Sequence, residues 1–178
     1  MNKKLEDLSS GSIVFIDSNL LIYEFSSHPK YGVSSRNFLE KVEKMELLGV
    51  TSVTVLDEVL YKSMLIELSK KEDINVSEAS VELRENPEKI QKLDTSITNS
   101  KELLEMPIHV LGVTQNIFAS SIENIKRYNL RPHDAAIVET LNFYGIENIA
   151  TNDPDFDSVD WLHVFKPRKR EDSPKSGP

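Results

Sequence analysis

The 178-residue chain contains no cysteine. This absence excludes disulfide bonds, zinc sites built on cysteine and a catalytic thiolate, and it fits a reducing compartment. The chain also has no apolar run that approaches the roughly 20 residues of a membrane-spanning helix. Residues 1–12 lack the apolar core of a signal peptide. We therefore expect a cytoplasmic protein with no membrane segment.

Glycine and positive charge are also scarce. With six glycines, the chain has neither a P-loop nor a dinucleotide-binding fingerprint, and it has no Gly-x-Ser-x-Gly elbow. Its four histidines lack the spacing of a zinc site, and only His133 stands next to an acidic candidate. The net charge of −8 argues against a protein that coats nucleic acid. It does not exclude a nuclease, because bound cations can meet substrate phosphates in place of lysine and arginine.

Four acidic residues stand at positions where an unpaired charge would be costly. Asp17 and Asp153 each follow a short apolar run. Glu58 lies inside a hydrophobic helical stretch, and Asp134 stands at the head of another helical pattern. Carboxylate oxygens are the ligands that Mg²⁺ and Mn²⁺ prefer. The four acids are therefore candidate ligands of a catalytic divalent metal.

Alternating hydrophobic patterns predict an α/β fold with a mainly parallel central sheet flanked by helices. Strands are predicted at residues 13–16, 50–53, 108–111, 146–151 and 161–165. Helices are predicted at residues 34–48, which Gly49 would end, and at 54–69, 114–128 and 132–144. In open parallel sheets, ligands bind beyond the carboxyl ends of the strands. Asp17 and Asp153 should therefore lie along one edge of the sheet.

One domain is expected to occupy most of the chain, because 178 residues suffice for one full core but hardly for two. Residues 1–12 are predicted to form a polar lead and residues 13–167 the domain itself. Residues 168–178 are rich in charge and are predicted to be a disordered tail.

Residues 70–106 are more charged and polar than their surroundings and are predicted to be a helical insertion within the domain. Asn86 and Pro87 form a typical helix start. The helix that follows would carry a narrow apolar stripe formed by Ile90, Leu93, Ile97 and Leu104. We expect this insertion to pack on the domain as a lid or dimer arm and to contribute little to the chemistry.

Each acid also has a structural explanation. Asp17 would cap the following helix, and Asp153, which precedes a proline, would be a turn residue. Asp134 would gain about 0.3–1 kcal/mol from a helix dipole. Glu58 would pair with Lys62, four residues on, which is worth about 0.2–0.5 kcal/mol. A single shared metal site explains all four acids at once, whereas the structural roles need a separate explanation for each acid.

Four segments of the chain resemble PIN-domain ribonucleases, especially the toxins of the VapC type. The matching segments are Ile16-Asp17-Ser18-Asn19, Thr51-Ser52-Val53-Thr54 running into Glu58, Arg131-Pro132-His133-Asp134-Ala135 and Thr151-Asn152-Asp153-Pro154-Asp155-Phe156. Each segment is short and weak alone, but their order and spacing are fairly specific. Together they span about residues 13–167, which is nearly the whole chain.

The resemblance implies a PIN-like fold and a metal-dependent endoribonuclease. In the family, metal ions activate a water molecule that attacks an RNA phosphodiester in line. One or two Mg²⁺ or Mn²⁺ ions would be held by Asp17, Glu58, Asp134 and Asp153. The supporting residues would be Ser18, which lines the site, Asn19, which holds the strand-to-helix turn, and Thr151 and Asp155.

The resemblance also implies partners. These are an RNA substrate, a small antitoxin protein and a second copy of the chain, with apolar surface on the helices around Phe25, Phe38 and Phe118. Two ligand choices stay open: the fourth ligand is either Asp153 or Asp155, and either Glu58 or the adjacent Asp57 faces the site. The RNA target also stays open.

Two rival functions fit parts of the sequence. A phosphatase of the haloacid dehalogenase class would use Asp17 as its nucleophile, but that class needs a second acid where Asn19 stands. A non-catalytic PIN-like module would bind RNA or protein, but this chain retains all four acids. We therefore expect a metal-dependent endoribonuclease, either the toxin of a toxin–antitoxin pair or a housekeeping nuclease.

Overall fold

The computed structural model of the protein describes residues 3–170. The strands within this range are β1 (Lys3–Lys4), β2 (Ile13–Ile16), β3 (Leu48–Ser52), β4 (Ile108–Leu111), β5 (Asn148–Ala150) and β6 (His163–Lys166). They form one sheet in the order β1-β6-β5-β2-β3-β4, and every neighbouring pair is parallel. The predicted α/β fold with a parallel sheet is therefore confirmed.

Helices connect most of the strands in the described part of the chain. They are α1 (Ser18–Phe25), α2 (Gly32–Glu43), α3 (Val53–Glu72), α4 (Val76–Glu85), α5 (Asp94–Glu105), α6 (Gln115–Tyr128) and α7 (Pro132–Tyr144). Short 3₁₀ turns lie at Leu5–Asp7, Pro87–Lys92 and Pro154–Ser158. The main core draws buried side chains from the strands and from α1, α2, α3 and α7.

The centre of the sheet is β2, which is deeply buried. Val14, Phe15 and Ile16 are fully buried, as expected for a parallel strand covered on both faces. From β2 the chain proceeds to β3 on one side, and it later returns to β5 on the other side. This change of direction creates a crevice at the carboxyl ends of β2 and β5, where open α/β sheets bind their ligands.

The segment between α2 and β3 differs from its prediction. The apolar pattern predicts a helix that continues up to Gly49, but α2 ends at Glu43 and Met45 takes a left-handed conformation with φ 58°. Gly49 lies inside β3. A Cβ atom there would lie 2.7 Å from Val42 Cγ1 and 3.0 Å from Ile16 Cδ1. Glycine at this position therefore lets α2 pack closely on the sheet.

The first described residues contribute to the sheet and the core, which the prediction of a polar lead at residues 1–12 does not include. Strand β1 pairs in parallel with β6. Leu5 and Leu8 are buried and belong to the main core. Two leucines in a charged segment give too short a pattern to predict burial.

Residues 70–106 contain α4, the turn at Pro87–Lys92 and α5. A helical turn begins at Asn86-Pro87 as predicted, but it is a 3₁₀ turn that ends at Lys92, and α5 begins separately at Asp94. The predicted apolar stripe is wrong, because only one of its members is buried. Leu93 is buried, whereas the exposed members are Ile90, Ile97 and Leu104.

The buried residues of this segment face two different cores. Leu93 packs in a second cluster, which also contains Leu65, Leu68, Ala79 and Leu83. Leu103 instead belongs to the main core. The buried leucines of this segment therefore lie on separate short elements and face different cores, so they do not form one apolar stripe along a single helix.

Helices α6 and α7 follow their predicted boundaries. Thr114 caps α6, since its Oγ1 accepts a hydrogen bond from Ile117 N at 3.3 Å. Gly145 ends α7 in a left-handed conformation with φ 66°. On α6, Ile117 is buried, whereas Phe118 and Ile122 are 56% and 55% exposed.

The end of the described chain lies against the start of α2 and the residues before it. Arg168 N donates to Ser34 Oγ at 3.0 Å, and Arg170 N donates to Lys30 O at 2.7 Å. The remainder of the predicted disordered tail, residues 171–178, lies outside the described residues. Between residues 3 and 170, no helix combines the length and the apolar character needed to cross a membrane.

Candidate active site

A pocket of about 370 Å³ contains all four candidate acids. Its lining residues are Asp17, Ser18, Asn19, Tyr23, Glu58, Lys62, Arg131, His133, Asp134, Asn152, Asp153 and Pro154. The acids come from the residue after β2, from α3, from the first turn of α7 and from the segment after β5. The fold therefore brings together acids that are far apart in the sequence.

Asp17 is a buried residue that serves both the fold and the pocket. Its Oδ1 accepts a hydrogen bond from Ser18 N at 2.6 Å, which caps α1. Its Oδ2 accepts from Thr151 Oγ1 at 2.6 Å and also from Asn19 Nδ2. Burial raises the pKa of Asp17 to about 6, although the hydrogen bonds oppose this rise. The capping explanation is thus correct, and it coexists with a position in the pocket.

Asn19 and Thr151 fasten the two central strands together beside the pocket. Asn19 Nδ2 donates to Thr151 Oγ1 at 2.9 Å, and Asn19 Oδ1 accepts from Asn152 N at 3.0 Å. Thr151 Oγ1 also accepts from Asp153 N at 3.0 Å. These contacts fix the position of Asp17 relative to Asp153.

Glu58 lies between two basic side chains. Lys62 Nζ is 2.5 Å from Glu58 Oε1, and His133 Nε2 is 3.2 Å from Glu58 Oε2, although it lacks the alignment of a full hydrogen bond. Contact with His133, assisted by Lys62, outweighs burial and lowers the pKa of Glu58 to about 2. Glu58 in turn raises the pKa of His133. Asp57 is exposed and does not line the pocket, so Glu58 is the acid of this pair that faces it.

Arg131 bridges the remaining acids. Its Nε lies 3.2 Å from Asp134 Oδ2, and its Nη2 lies 3.1 Å from Asp153 Oδ2 and 3.4 Å from Asp155 Oδ2. Burial raises the pKa of Asp134, and the charge of Arg131 opposes the rise. Asp153 also accepts a hydrogen bond from Asp155 N at 2.9 Å, which is the turn role that its sequence predicts.

The donor set of the pocket suits a hard divalent cation. Carboxylate oxygens of the three acids bridged by Arg131 lie within 4.8 Å of one another, close enough to share one ion. Sites made of oxygen ligands favour Mg²⁺ or Mn²⁺. The guanidinium of Arg131 contacts these acids, so positive charge already stabilises the cluster. Asp153 and Asp155 both belong to the cluster, but only Asp153 lines the pocket.

Arg131, Tyr23 and Asn152 line the pocket but have no role in the sequence prediction. The bridging role of Arg131 has a signal, because it precedes Asp134 by three residues, a spacing that brings opposite charges together on a helix. Tyr23 and Asn152 have no such signal. Asn152 Nδ2 donates to Tyr23 OH at 3.0 Å, but 129 positions separate the two residues in the sequence.

Comparisons with known proteins match most of the chain. The family model of the PIN domain matches residues 14–162. Ribonuclease VapC2 of Methanocaldococcus jannaschii is 32% identical over 153 residues, which cover 86% of this chain and 93% of that protein. Ribonuclease VapC6 of the same organism is 27% identical over 165 residues, which cover 88% of this chain and 99% of that protein.

Two solved structures are similar in fold. VapBC2 from Rickettsia felis matches with a TM-score of 0.58 at 16% identity, over 87% of this chain and 98% of that chain. VapC20 of Mycobacterium tuberculosis matches with a TM-score of 0.58 at 14% identity, over 85% and 98% of the respective chains. All four pocket acids fall within the residues that the family model matches. The chain therefore belongs to the PIN domain family.

Proposed function

We propose that the chain is a metal-dependent endoribonuclease that hydrolyses RNA phosphodiester bonds, and that it is the toxin of a toxin–antitoxin pair. The observation that carries this proposal is the convergence of four acids in one pocket, from four separate elements. The relatives from Methanocaldococcus jannaschii are named as ribonucleases of the VapC type, which supports the same reaction for this chain.

The four acids would hold one or two Mg²⁺ or Mn²⁺ ions. A bound ion of this kind lowers the pKa of water and stabilises negative charge on a phosphodiester. Hydrogen bonds from Thr151 and Asn19 orient Asp17, so that its carboxylate enters the site in one position. Glu58 is ionised at neutral pH, and contact with His133 lowers its pKa further, to about 2.

The proposal includes an RNA substrate and a small antitoxin partner. A pocket lined by several carboxylates repels phosphate until cations neutralise it, which is consistent with a nuclease whose chain is acidic overall. The reaction would take place in the cytoplasm, where RNA is translated. The VapC names of the relatives support the antitoxin.

The proposal also includes a homodimer. The expectation that Phe38 offers apolar surface is wrong, because Phe38 is 2% exposed, and Phe25 is partly buried against the main core. Phe118 and Ile122 are exposed on α6 and lie four residues apart, so they share one face. This face is the apolar surface that we propose for contact with a second copy.

A phosphatase of the haloacid dehalogenase class is less consistent with the site. Asp17 would then act as a free nucleophile, but both of its oxygens accept hydrogen bonds from neighbouring residues. Asn19 donates to Asp17 and cannot replace the second acid of that class. A non-catalytic module is disfavoured because the pocket contains the complete set of four acids.

The test is incubation of the purified protein with mixed RNA and Mg²⁺ or Mn²⁺, with and without EDTA. We expect cleavage at internal positions in the presence of either metal and none in EDTA. Cleavage that survives EDTA, or metal-dependent hydrolysis of a phosphomonoester without any cleavage of RNA, would contradict the proposed function.

A further inference from the structure

Arg131 has the position of a counter-cation in the pocket. Its guanidinium contacts the Oδ2 atoms of Asp134, Asp153 and Asp155 at 3.2, 3.1 and 3.4 Å. Its side chain is 68% exposed, so these contacts, and not burial, hold it against the acids. One guanidinium, with a single positive charge, therefore bridges three carboxylates that come from two different elements.

Within residues 3–170, the same three carboxylates form a group whose oxygens lie close enough together to share a metal ion. An ion ligated by oxygen lies about 2.0–2.6 Å from each ligand. The guanidinium nitrogens of Arg131 contact the Oδ2 atoms of these three carboxylates. A divalent ion and the guanidinium therefore compete for one set of carboxylates.

We propose that Arg131 exchanges partners when the site is loaded: a divalent ion displaces it from the three carboxylates, and the released guanidinium binds a phosphate of the RNA. This inference rests on the proposed function. The planar fork of a guanidinium matches phosphate as well as it matches carboxylate. Arg131 is the N-cap residue of α7, so its backbone is fixed and the freed side chain stays at the pocket.

The other basic residues of the pocket are less suited to this exchange. Lys62 and His133 both contact Glu58, which is not a member of the three-carboxylate group. Only Arg131, among the basic residues that line the pocket, contacts every member of that group. Arg131 is therefore the residue that a metal ion bound there must displace.

The first test measures Mn²⁺ affinity by calorimetry for the wild type, Arg131→Gln and Arg127→Gln. Arg127 is exposed, lies four residues earlier and stacks 5.0 Å from the ring of Tyr128, so it controls for the loss of one positive charge. Arg131→Gln should bind Mn²⁺ about tenfold more tightly, or about 1.4 kcal/mol. Arg127→Gln should bind like the wild type. Unchanged or weaker binding by Arg131→Gln would overturn the exchange.

The second test measures binding of a single-stranded phosphorothioate RNA by fluorescence anisotropy, with the integrity of the RNA checked on a gel. With Mn²⁺ present, Arg131→Gln should bind about tenfold more weakly than the wild type, as expected for a lost charge-assisted contact. In EDTA the variant should bind no more weakly than the wild type. An equal loss in both conditions, or no loss in either, would show that the guanidinium does not change partners.

A third measurement uses the wild-type protein and does not depend on the folding of a variant. The ¹⁵N-labelled Nε–H resonance of Arg131, which contacts Asp134, is followed during titration with Mg²⁺. We expect its chemical shift to change until the site is saturated, and a resonance that does not move would overturn the exchange. The metal titrations require no RNA cleavage, so failure of the proposed nuclease activity can be distinguished from failure of this inference.

Discussion

At the scale of single residues, Asp17 has two roles: it stabilises the fold as a helix cap, and it lines the pocket. Its carboxylate caps α1 and is tied to Thr151 across the central strands. Burial raises its pKa to about 6, so the ionised form destabilises the metal-free fold relative to an exposed carboxylate. A bound cation would remove this cost, and metal binding should therefore stabilise the folded protein.

We expect Asp17→Asn to abolish RNA cleavage while leaving the melting temperature of the metal-free protein unchanged or higher. The substitution removes a buried charge that the environment disfavours. Mn²⁺ should raise the melting temperature of the wild type and of the exposed control Asp160→Asn, and it should raise that of Asp17→Asn by less. A metal-free variant that melts several degrees lower would instead indicate that Asp17 is mainly a structural cap.

The four acids could be predicted from the sequence because each stands next to an apolar run or a helix start. The resemblance implies supporting roles for Asn19 and Thr151 but not the contact between them, and the link between Tyr23 and Asn152 has no sequence signal. Both are contacts between residues that are more than 120 positions apart. Local sequence patterns identify charged residues whose burial is unfavourable. They do not identify the residues, distant in the sequence, that the sheet places in contact with them.

At the scale of elements, α5 begins without a capping side chain of its own. Glu67 of α3 takes this role, since its carboxylate accepts hydrogen bonds from Ser96 N at 2.8 Å and Thr95 N at 3.3 Å. Burial would raise the pKa of Glu67, but contacts with Lys71 and Ser96 outweigh it and lower the pKa to about 2. One carboxylate therefore fastens α5 to α3.

We expect Glu67→Gln to lower the free energy of unfolding by about 1–2 kcal/mol at pH 7, as for a lost cap to a charged acceptor. The pKa of Glu67 in the folded protein lies below the ordinary 4.5, so its stabilisation is complete above pH 4.5 and is lost as the pH falls towards 2. Urea denaturation at several pH values should show the difference shrinking below pH 4.5. A difference that is independent of pH would contradict this account, and the exposed Glu102→Gln serves as control.

A second element-scale prediction concerns two adjacent leucines of α5. Leu103 is 4% exposed and belongs to the main core, whereas Leu104 is 64% exposed. Leu103→Ala should lower the free energy of unfolding by about 2–4 kcal/mol, and Leu104→Ala should change it by less than about 0.5 kcal/mol. Chemical denaturation of the two variants measures both values. A larger loss for Leu104→Ala than for Leu103→Ala would contradict this account and support the apolar stripe that the sequence predicts.

The limits of a strand or helix can be predicted from the sequence where neighbouring residues determine them. The apolar run of β2 and the proline and glycine that bound α7 are local signals, and both elements have their predicted limits. The prediction that Gly49 ends a helix is wrong, because the role of Gly49 depends on contact with Val42 and Ile16. The prediction of one apolar stripe between residues 90 and 104 is wrong, because the leucines of the α4–α5 region divide between two cores.

At the scale of the whole molecule, we expect a homodimer that forms through the apolar face of Phe118 and Ile122 on α6. Light scattering at tens of micromolar should give twice the chain mass of 20.2 kDa for the wild type. Phe118→Glu should be monomeric, because it places a charge on the proposed contact. Val76→Glu, at an exposed apolar position on α4, should remain a dimer. A monomeric wild type would contradict the proposed dimer.

The central claim is that the acids lining this pocket form the catalytic metal site of a ribonuclease. The most direct test compares the rate of Mn²⁺-dependent RNA cleavage by the wild type, Glu58→Gln and Asp57→Asn. These neighbouring acids lie on the same helix, but only Glu58 lines the pocket and Asp57 is exposed. We predict a loss of about 100-fold or more for Glu58→Gln, as expected when a metal ligand is removed, and a wild-type rate for Asp57→Asn. Retained cleavage by Glu58→Gln, or a greater loss for Asp57→Asn, would contradict the assignment.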